Sequence, residues 1–211
     1  QIFQRRTKQC IFSAIAREGW SEAFGANTDH FDKFCEGGWC SVIKYLLDSN
    51  IFIQAKNMHY PFESFPGFWS WLRQNMEIGV AASIEPVFDE IMRGNDELAD
   101  WTKERKDCGC FLSVSDTATQ QVYRDIAAWA VDPARIFKDN AKSEFLRVAD
   151  SWLVAKAVSE KLTVVTLEKY QVDCKKRILI PNVCRAFGVE CIDTVELIRR
   201  TGVKFDIAPQ E

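Results

Sequence analysis

Four acidic side chains stand where they could act together: Asp48 at the end of the apolar run "KYLLD", Glu90 in "VFDEIMRG", Asp150 in "FLRVADSWLVA" and Glu168 just beyond "LTVVT". Asp48 and Glu168 fall at the carboxyl ends of predicted parallel strands, and open α/β sheets bind ligands in the crevice outside those ends. Asp150 has Val148, Ala149, Leu153, Val154 and Ala155 around it. That places it at the margin of a buried face, where a desolvated carboxylate costs several kcal/mol unless a cation or donor compensates. Clustered carboxylates call for a divalent ion, and hard oxygen donors favour Mg²⁺ or Mn²⁺ over zinc. The chemistry such a site suits is phosphodiester hydrolysis, because the ion lowers the pKa of water, orients it and offsets charge developing on the phosphate.

Other chemistries lack their residues. Two histidines and no nucleophile elbow leave no Ser/His/Asp set, and neither a P-loop nor G-x-G-x-x-G occurs. Each acid taken singly has a plainer reading: Asp48 as a helix N-cap, Glu90 as a solvated helix residue, Glu168 as a loop residue, Asp150 as a satisfied polar group. Ser49 and Asn50 likewise read as turn and helix-start residues. Only the four acids together, in this order, favour a site.

The elements that must position them follow from periodicity. "KYLLD" reads as a buried strand, and Ser49 to Lys56 as the start of a helix capped by Asp48 or Ser49. "FPGFWSWLRQNMEIG" carries Phe68, Trp69, Leu72 and Met76 at helical spacing. "SIEPVFDEIMRGNDELADWTKERKDCG" holds two short helices split at Gly94-Asn95, followed by a short apolar piece, "CFLSV", and a helix over "SDTATQQVYRDIAAWA". One helix is predicted across "SEFLRVADSWLVAKAVSEK", then a β-branched strand "LTVVT", and finally a helix, a strand and a helix through "ILIPNVCRAFG" and "VECIDTVELIRRTG". Strands alternating with helices imply a three-layer α/β/α sandwich around a central, mainly parallel sheet. Residues 1–43 show little sustained period and read as an N-terminal appendage, 44–205 as the domain, and 206–211 as a tail. The chain begins with Gln rather than Met, so its first residues read as trimmed or wrongly started.

With 211 residues, 47% hydrophobic, the chain can bury one good core. Its 27 basic and 30 acidic residues give a net charge of −3, so any hold on nucleic acid must come from a local patch. The patch on offer is "EKYQVDCKKR", with Lys169, Lys175, Lys176 and Arg177, and also Lys138, Lys142 and Arg147; solvated surface is the plainer account of both. The aromatics Phe68, Trp69, Trp71, Trp101, Trp129 and Trp152 read as core, with Trp71 an alternative platform for an unpaired base. Eight cysteines without framework spacing read as reduced thiols of a cytoplasmic protein. Neither Cys35/Cys40 nor Cys108/Cys110 has the two-residue knuckle of structural zinc. No run of eighteen apolar residues spans a membrane, and no signal-peptide core opens the chain.

In these motifs the chain resembles the PIN-domain family of metal-dependent ribonucleases, best known as VapC-type toxins, and more closely a PIN-like subfamily of unassigned function. "LLDSNIFI" matches the family's strand ending in Asp-Thr/Ser-Asn, Glu90-Ile-Met-Arg-Gly94 its Glu-Leu/Ile-x-x-Gly helix, "ADSWLVA" its "AD-x-x-I/L-x-A" helix, and Thr166-Leu-Glu168 its Thr-x-Asp. The subfamily likeness lies in "IFIQAKNMHYPFESFPGFWSWL", "DELADWTKER", "ADSWLVAKA" and "RILIPNVCRAFGVECIDTVELIRRTGVKF", and spans roughly residues 44 to 205. The resemblance implies an RNA-cleaving, Mg²⁺- or Mn²⁺-dependent endoribonuclease with Asp48, Glu90 and Asp150 as direct or water-mediated ligands and Glu168 as a weaker fourth. It implies Asn50 or Ser49 holding the first acid and Thr166 orienting water or metal near the fourth. It further implies an antitoxin covering the acidic cleft, and homodimerisation.

Two departures stand out. Glu168 replaces the usual Asp, lengthening that arm by one methylene, and residues 1–43 have no counterpart in a single-domain architecture. Glu85 competes with Glu90 as the second acid, though the spacing to Gly94 fits Glu90. Three other activities fit the same residues less closely: a DNA or flap nuclease, a catalytically silent PIN-like interaction module, and a haloacid-dehalogenase-like phosphatase. The last needs an Asp where this chain has Asn50.

Overall fold

The computed structural model describes residues 44–206; the expected appendage over 1–43 and nearly all of the tail lie outside the described residues. Five strands form one sheet in the order β3-β2-β1-β4-β5, and every neighbouring pair is parallel. They are β1 (Tyr45–Leu47), β2 (Ala81–Ile84), β3 (Phe111–Leu112), β4 (Thr163–Val165) and β5 (Cys191–Ile192). Nine α-helices flank the sheet among the described residues: α1 (Ser49–Gln54), α2 (Pro66–Glu77), α3 (Glu85–Met92), α4 (Glu97–Lys103), α5 (Thr117–Val131), α6 (Asp139–Arg147), α7 (Ala149–Glu160), α8 (Ile180–Phe187) and α9 (Thr194–Thr201). The result is a three-layer α/β/α sandwich with an all-parallel sheet.

Burial on both faces explains why these strands read as continuous apolar runs. Leu46 and Leu47 of β1, Ala82 and Ile84 of β2, and Val164 and Val165 of β4 are fully buried. Leu46 pairs with Ala82 on one side and Val164 on the other, so β1 is the sheet's central strand. Helix starts obey local rules too. Pro occupies the first turn of α2, α3 and α8, where its missing N–H costs nothing. Asp96, Asp116 and Asp193 each cap a following helix through a side-chain oxygen.

Three expectations are corrected. The second strand, "AASI", was not visible in the sequence: alanine is a poor strand former, and only its place between β1 and β3 makes it extend. Second, the single helix expected through "SEFLRVADSWLVAKAVSEK" is two. Val148 is extended (φ −96°, ψ 176°) between α6 and α7, which puts Asp150 in the first turn of α7. The helix that starts at Ser49 continues beyond α1 as one wide π-helical turn over Ala55–His59. Third, Cys108 and Cys110 are joined in a disulfide, against the expectation of reduced thiols throughout, while Cys174, Cys184 and Cys191 are free. Cys35 and Cys40 lie outside the described residues.

Trp71 is buried against Phe68 and Phe205, so it cannot serve as a base platform. Phe68 and Trp69 are buried with it, and Trp101 meets Trp69 edge to face. No helix among the described residues is long and apolar enough to cross a membrane.

Leu153 of α7 is fully buried in the core beside the site. Truncating it, Leu153→Ala, is expected to cost ~2–5 kcal/mol in urea unfolding, whereas Val172→Ala at an exposed loop position should stay within about 0.5 kcal/mol.

Candidate active site

The carboxyl edge of the sheet places Asp48 directly after β1 and Thr166 directly after β4. Their backbones are locked in register, with the Asp48 N–H donating to the carbonyl of Val165 and the Thr166 N–H to that of Ile192. Asp48 stands at the N-cap position of α1, yet its side chain makes no capping bond to the helix. The plain N-cap account therefore fails for this residue. One oxygen accepts from the Thr166 hydroxyl (2.7 Å) and from Asn50 Nδ2 (3.2 Å), while the other accepts a long bond from Ser49 Oγ (3.4 Å). All three donors are neutral.

Asp48 is 1% exposed. Burial pushes its pKa up to about 6; the Thr166 and Asn50 bonds oppose that rise, and the nearby Glu168 and Glu90 carboxylates add to it. Asp150 is driven further, to about 8, by burial first and then by Asp48, Glu168 and Glu90, with Arg177 opposing. The structure thus brings all four predicted acids into one electrostatic neighbourhood, drawn from β1, α3, α7 and the segment after β4. No hydrogen-bond donor reaches the Asp150 carboxylate among the described residues.

Glu90 lies on α3, and its Oε2 is a buried oxygen with no hydrogen-bond partner. Glu85, the competing second acid, is exposed at the first position of the same helix. Burial of Val87 and Ile91 turns one face of α3 to the core. Glu90 sits at the border of that face, and it is Glu90 that raises both aspartates.

Glu168 is placed differently. Its Oε1 accepts from Arg177 (2.8 Å) and its Oε2 from the backbone N–H of Ile180 (2.8 Å), the first residue of α8. The Glu168 N–H in turn donates to the Thr166 hydroxyl (3.2 Å), the group that holds Asp48. Among the predicted RNA contacts, Arg177 and Lys169 each form one ion pair, with Glu168 and Asp193 respectively. Lys175 and Lys176 are exposed with no carboxylate in reach, as is Lys138; Lys142 meets Asp139 and Arg147 meets Glu144.

The donor set fits a hard divalent ion in chemistry: an orphaned buried oxygen on Glu90, a carboxylate on Asp150 without a donor, and a third on Asp48 held only by neutral groups. Among the described residues, no group of three or more His, Cys, Asp or Glu side chains is placed to grip an ion directly. The fit is therefore to a hydrated ion, held partly through water, as Mg²⁺ usually is.

Both aspartate values lie above the ordinary 3.8, so the folded protein holds these protons more tightly than the unfolded chain does. The stability this contributes is complete below about pH 4 and is lost as pH rises through about 6 for Asp48 and about 8 for Asp150. In chelator, thermal unfolding across about pH 5–9 should show Tm falling with pH. Asp150→Asn should flatten the upper part of that fall, and a Tm independent of pH in the wild type would contradict the charge cluster.

No curated protein matches the chain, and no solved structure does. One family does match, over residues 45–205, from the first residue of β1 to just past α9, and so includes all four acids. The chain belongs to the family described as "Domain of unknown function (DUF4411)".

Proposed function

We propose that this chain is a PIN-like endoribonuclease that hydrolyses RNA phosphodiester bonds with Mg²⁺ or Mn²⁺, and that it is the toxin of a toxin–antitoxin pair. The observation that carries the reading is the gathering of Asp48, Glu90 and Asp150 at the carboxyl edge of a buried parallel sheet with no cation among the described residues bonded to any of them. Carboxylates so desolvated and mutually repulsive have little purpose in a scaffold, and a structural cluster would carry its own lysine or arginine. The motif order "LLDSN", "EIMRG", "ADSWLVA" and "TLE" supports the same reading.

The chain's own residues divide the work. Thr166, Asn50 and Ser49 fix the Asp48 carboxylate in one orientation. Glu90 and Asp150, with acceptor oxygens free, would hold the ion and its waters and so set the angle from which water meets phosphorus. The ion would supply a lowered water pKa and neutralise charge on the phosphate. Water adds to phosphorus, the bond to the leaving ribose oxygen breaks on the opposite side, and solvent takes the water's proton and supplies one to the leaving oxygen. An antitoxin would cover this acidic edge, and the active form would be a homodimer.

A second reading, a catalytically silent interaction module, is favoured by the lack, among the described residues, of any three-residue group placed to grip an ion directly. A single assay separates the two. A mixed tRNA and ribosomal RNA pool is incubated with the full chain in Mn²⁺, Mg²⁺ or chelator, beside Asp48→Asn and Asp150→Asn. Discrete fragments that need metal and are lost by ~10²-fold or more in both variants, with Tm unchanged or raised, are expected. Equal cleavage by wild type and both variants would sink the site, and no cleavage with no metal binding by calorimetry would favour the silent module. A matching DNA pool tests the DNA or flap alternative.

A further inference from the structure

The segment between β4 and α8, residues 166–179, contains no helix or strand, yet it is pinned along its length. Asn182 of α8 accepts from the Gln171 N–H (3.1 Å) and donates to the Gln171 carbonyl (2.6 Å). The Lys138 N–H, just before α6, donates to the carbonyl of Lys175 (3.0 Å). Glu168 closes the loop by holding Arg177 with one oxygen and the first N–H of α8 with the other. A loop fixed at Glu168, Gln171, Lys175 and Arg177 presents its side chains in set positions.

Arg177 is the one such side chain at the acidic cluster. Its side chain is 64% exposed and bonds Glu168 through a single nitrogen, while the Glu168 side chain is 9% exposed. Its charge also opposes the rise of the Asp150 pKa. A guanidinium presents five N–H donors in a planar fork matched to phosphate oxygens, and here only one terminal nitrogen is engaged. The remaining donors make no hydrogen bond among the described residues, on a largely exposed side chain beside carboxylates that would otherwise repel an RNA backbone. The longer arm of Glu168, where the resembling family has Asp, reaches both Arg177 and the N-terminus of α8.

Resting on the nuclease reading, we propose that Arg177 grips a backbone phosphate of the bound RNA at the edge of the acidic cluster, and that Glu168 is the positioning residue that aims it. A lone surface arginine with one ion pair would be worth little to folding, so the pair's value lies in where it points the guanidinium. Lys175 and Lys176, unpaired on the same loop, extend the cationic edge along the RNA path.

The test is binding and cleavage by the full chain and three variants, Arg177→Ala, Arg177→Lys and Glu168→Gln. Binding of a labelled mixed-sequence single-stranded RNA is read by anisotropy in Ca²⁺ over a salt series; cleavage is read in Mn²⁺. Arg177→Ala should weaken binding and lower the slope of log K against log salt by about 0.7, the share of one phosphate on a single strand. It should lower cleavage by ~10²-fold and leave Mn²⁺ binding by calorimetry unchanged. Arg177→Lys should restore the salt slope but not the cleavage rate, because an ammonium keeps the charge and loses the fork. Glu168→Gln keeps an acceptor for the Ile180 N–H, so Tm should hold while RNA affinity falls.

RNA binding with an unchanged slope in Arg177→Ala overturns the assignment and leaves the nuclease reading standing. A loss of Mn²⁺ binding in Glu168→Gln with no change in RNA affinity also overturns it, making Glu168 a ligand instead. RNA binding that depends on Arg177 without any cleavage supports Arg177 and sinks the nuclease reading. Absence of both binding and cleavage in the wild type overturns both.

Discussion

Repulsion among carboxylates at the end of a buried strand is the constraint around which this molecule is arranged. Asp48 is fixed by the backbone at the carboxyl end of β1, the central strand, and is 1% exposed. Among the described residues no cation bonds it. Three neutral donors hold it in place, and two further carboxylates, Glu168 and Glu90, press on it. Asp150 meets the same field with no donor among the described residues. A folded chain that retains such a cluster carries a standing electrostatic cost, and that cost is lowered when a cation arrives.

The scaffold meets this constraint by dividing roles among elements. The sheet supplies position: parallel pairing of β1 with β4 aligns Leu47 with Val165, so the residues that follow, Asp48 and Thr166, fall side by side and bond. The helices supply approach. The break at Val148 restarts the chain as α7 and puts Asp150 in its first turn, while α3 turns Glu90 toward the same edge by burying Val87 and Ile91. Beyond β4, Glu168 fastens the loop to α8 and carries Arg177, a cation that tempers Asp150.

Lysine elsewhere shows what a purely structural solution looks like. Lys156 of α7 is 5% exposed and sits between Asp116 and Glu160, at 2.9 and 2.5 Å. There the buried charge is paired from both sides, and the Asp116 carboxyl is held well below its ordinary range by the Lys156 bond. The contrast with Asp48 and Asp150, one helix turn or one strand away from apolar core, separates charge buried for packing from charge held ready for a ligand.

Much of this was legible in the residues themselves. Apolar runs bounded by Asp, Gly and Pro located β1, β4, β5 and most helices, and the acids at strand ends could be named from position alone. Other features were not local. "AASI" has no strand preference, and extends because β1 and β3 flank it. Val148 carries no breaking residue, and Glu168 reads as a loop acid until Arg177 and α8 are folded onto it. The sequence by itself determined which side chains could bear charge and which stretches would be buried, because those follow from composition and period over a few residues. Tertiary structure alone decided which charges face one another: the bond that orients Asp48 comes from Thr166, 118 residues away, and no short-range pattern encodes a partner at that distance.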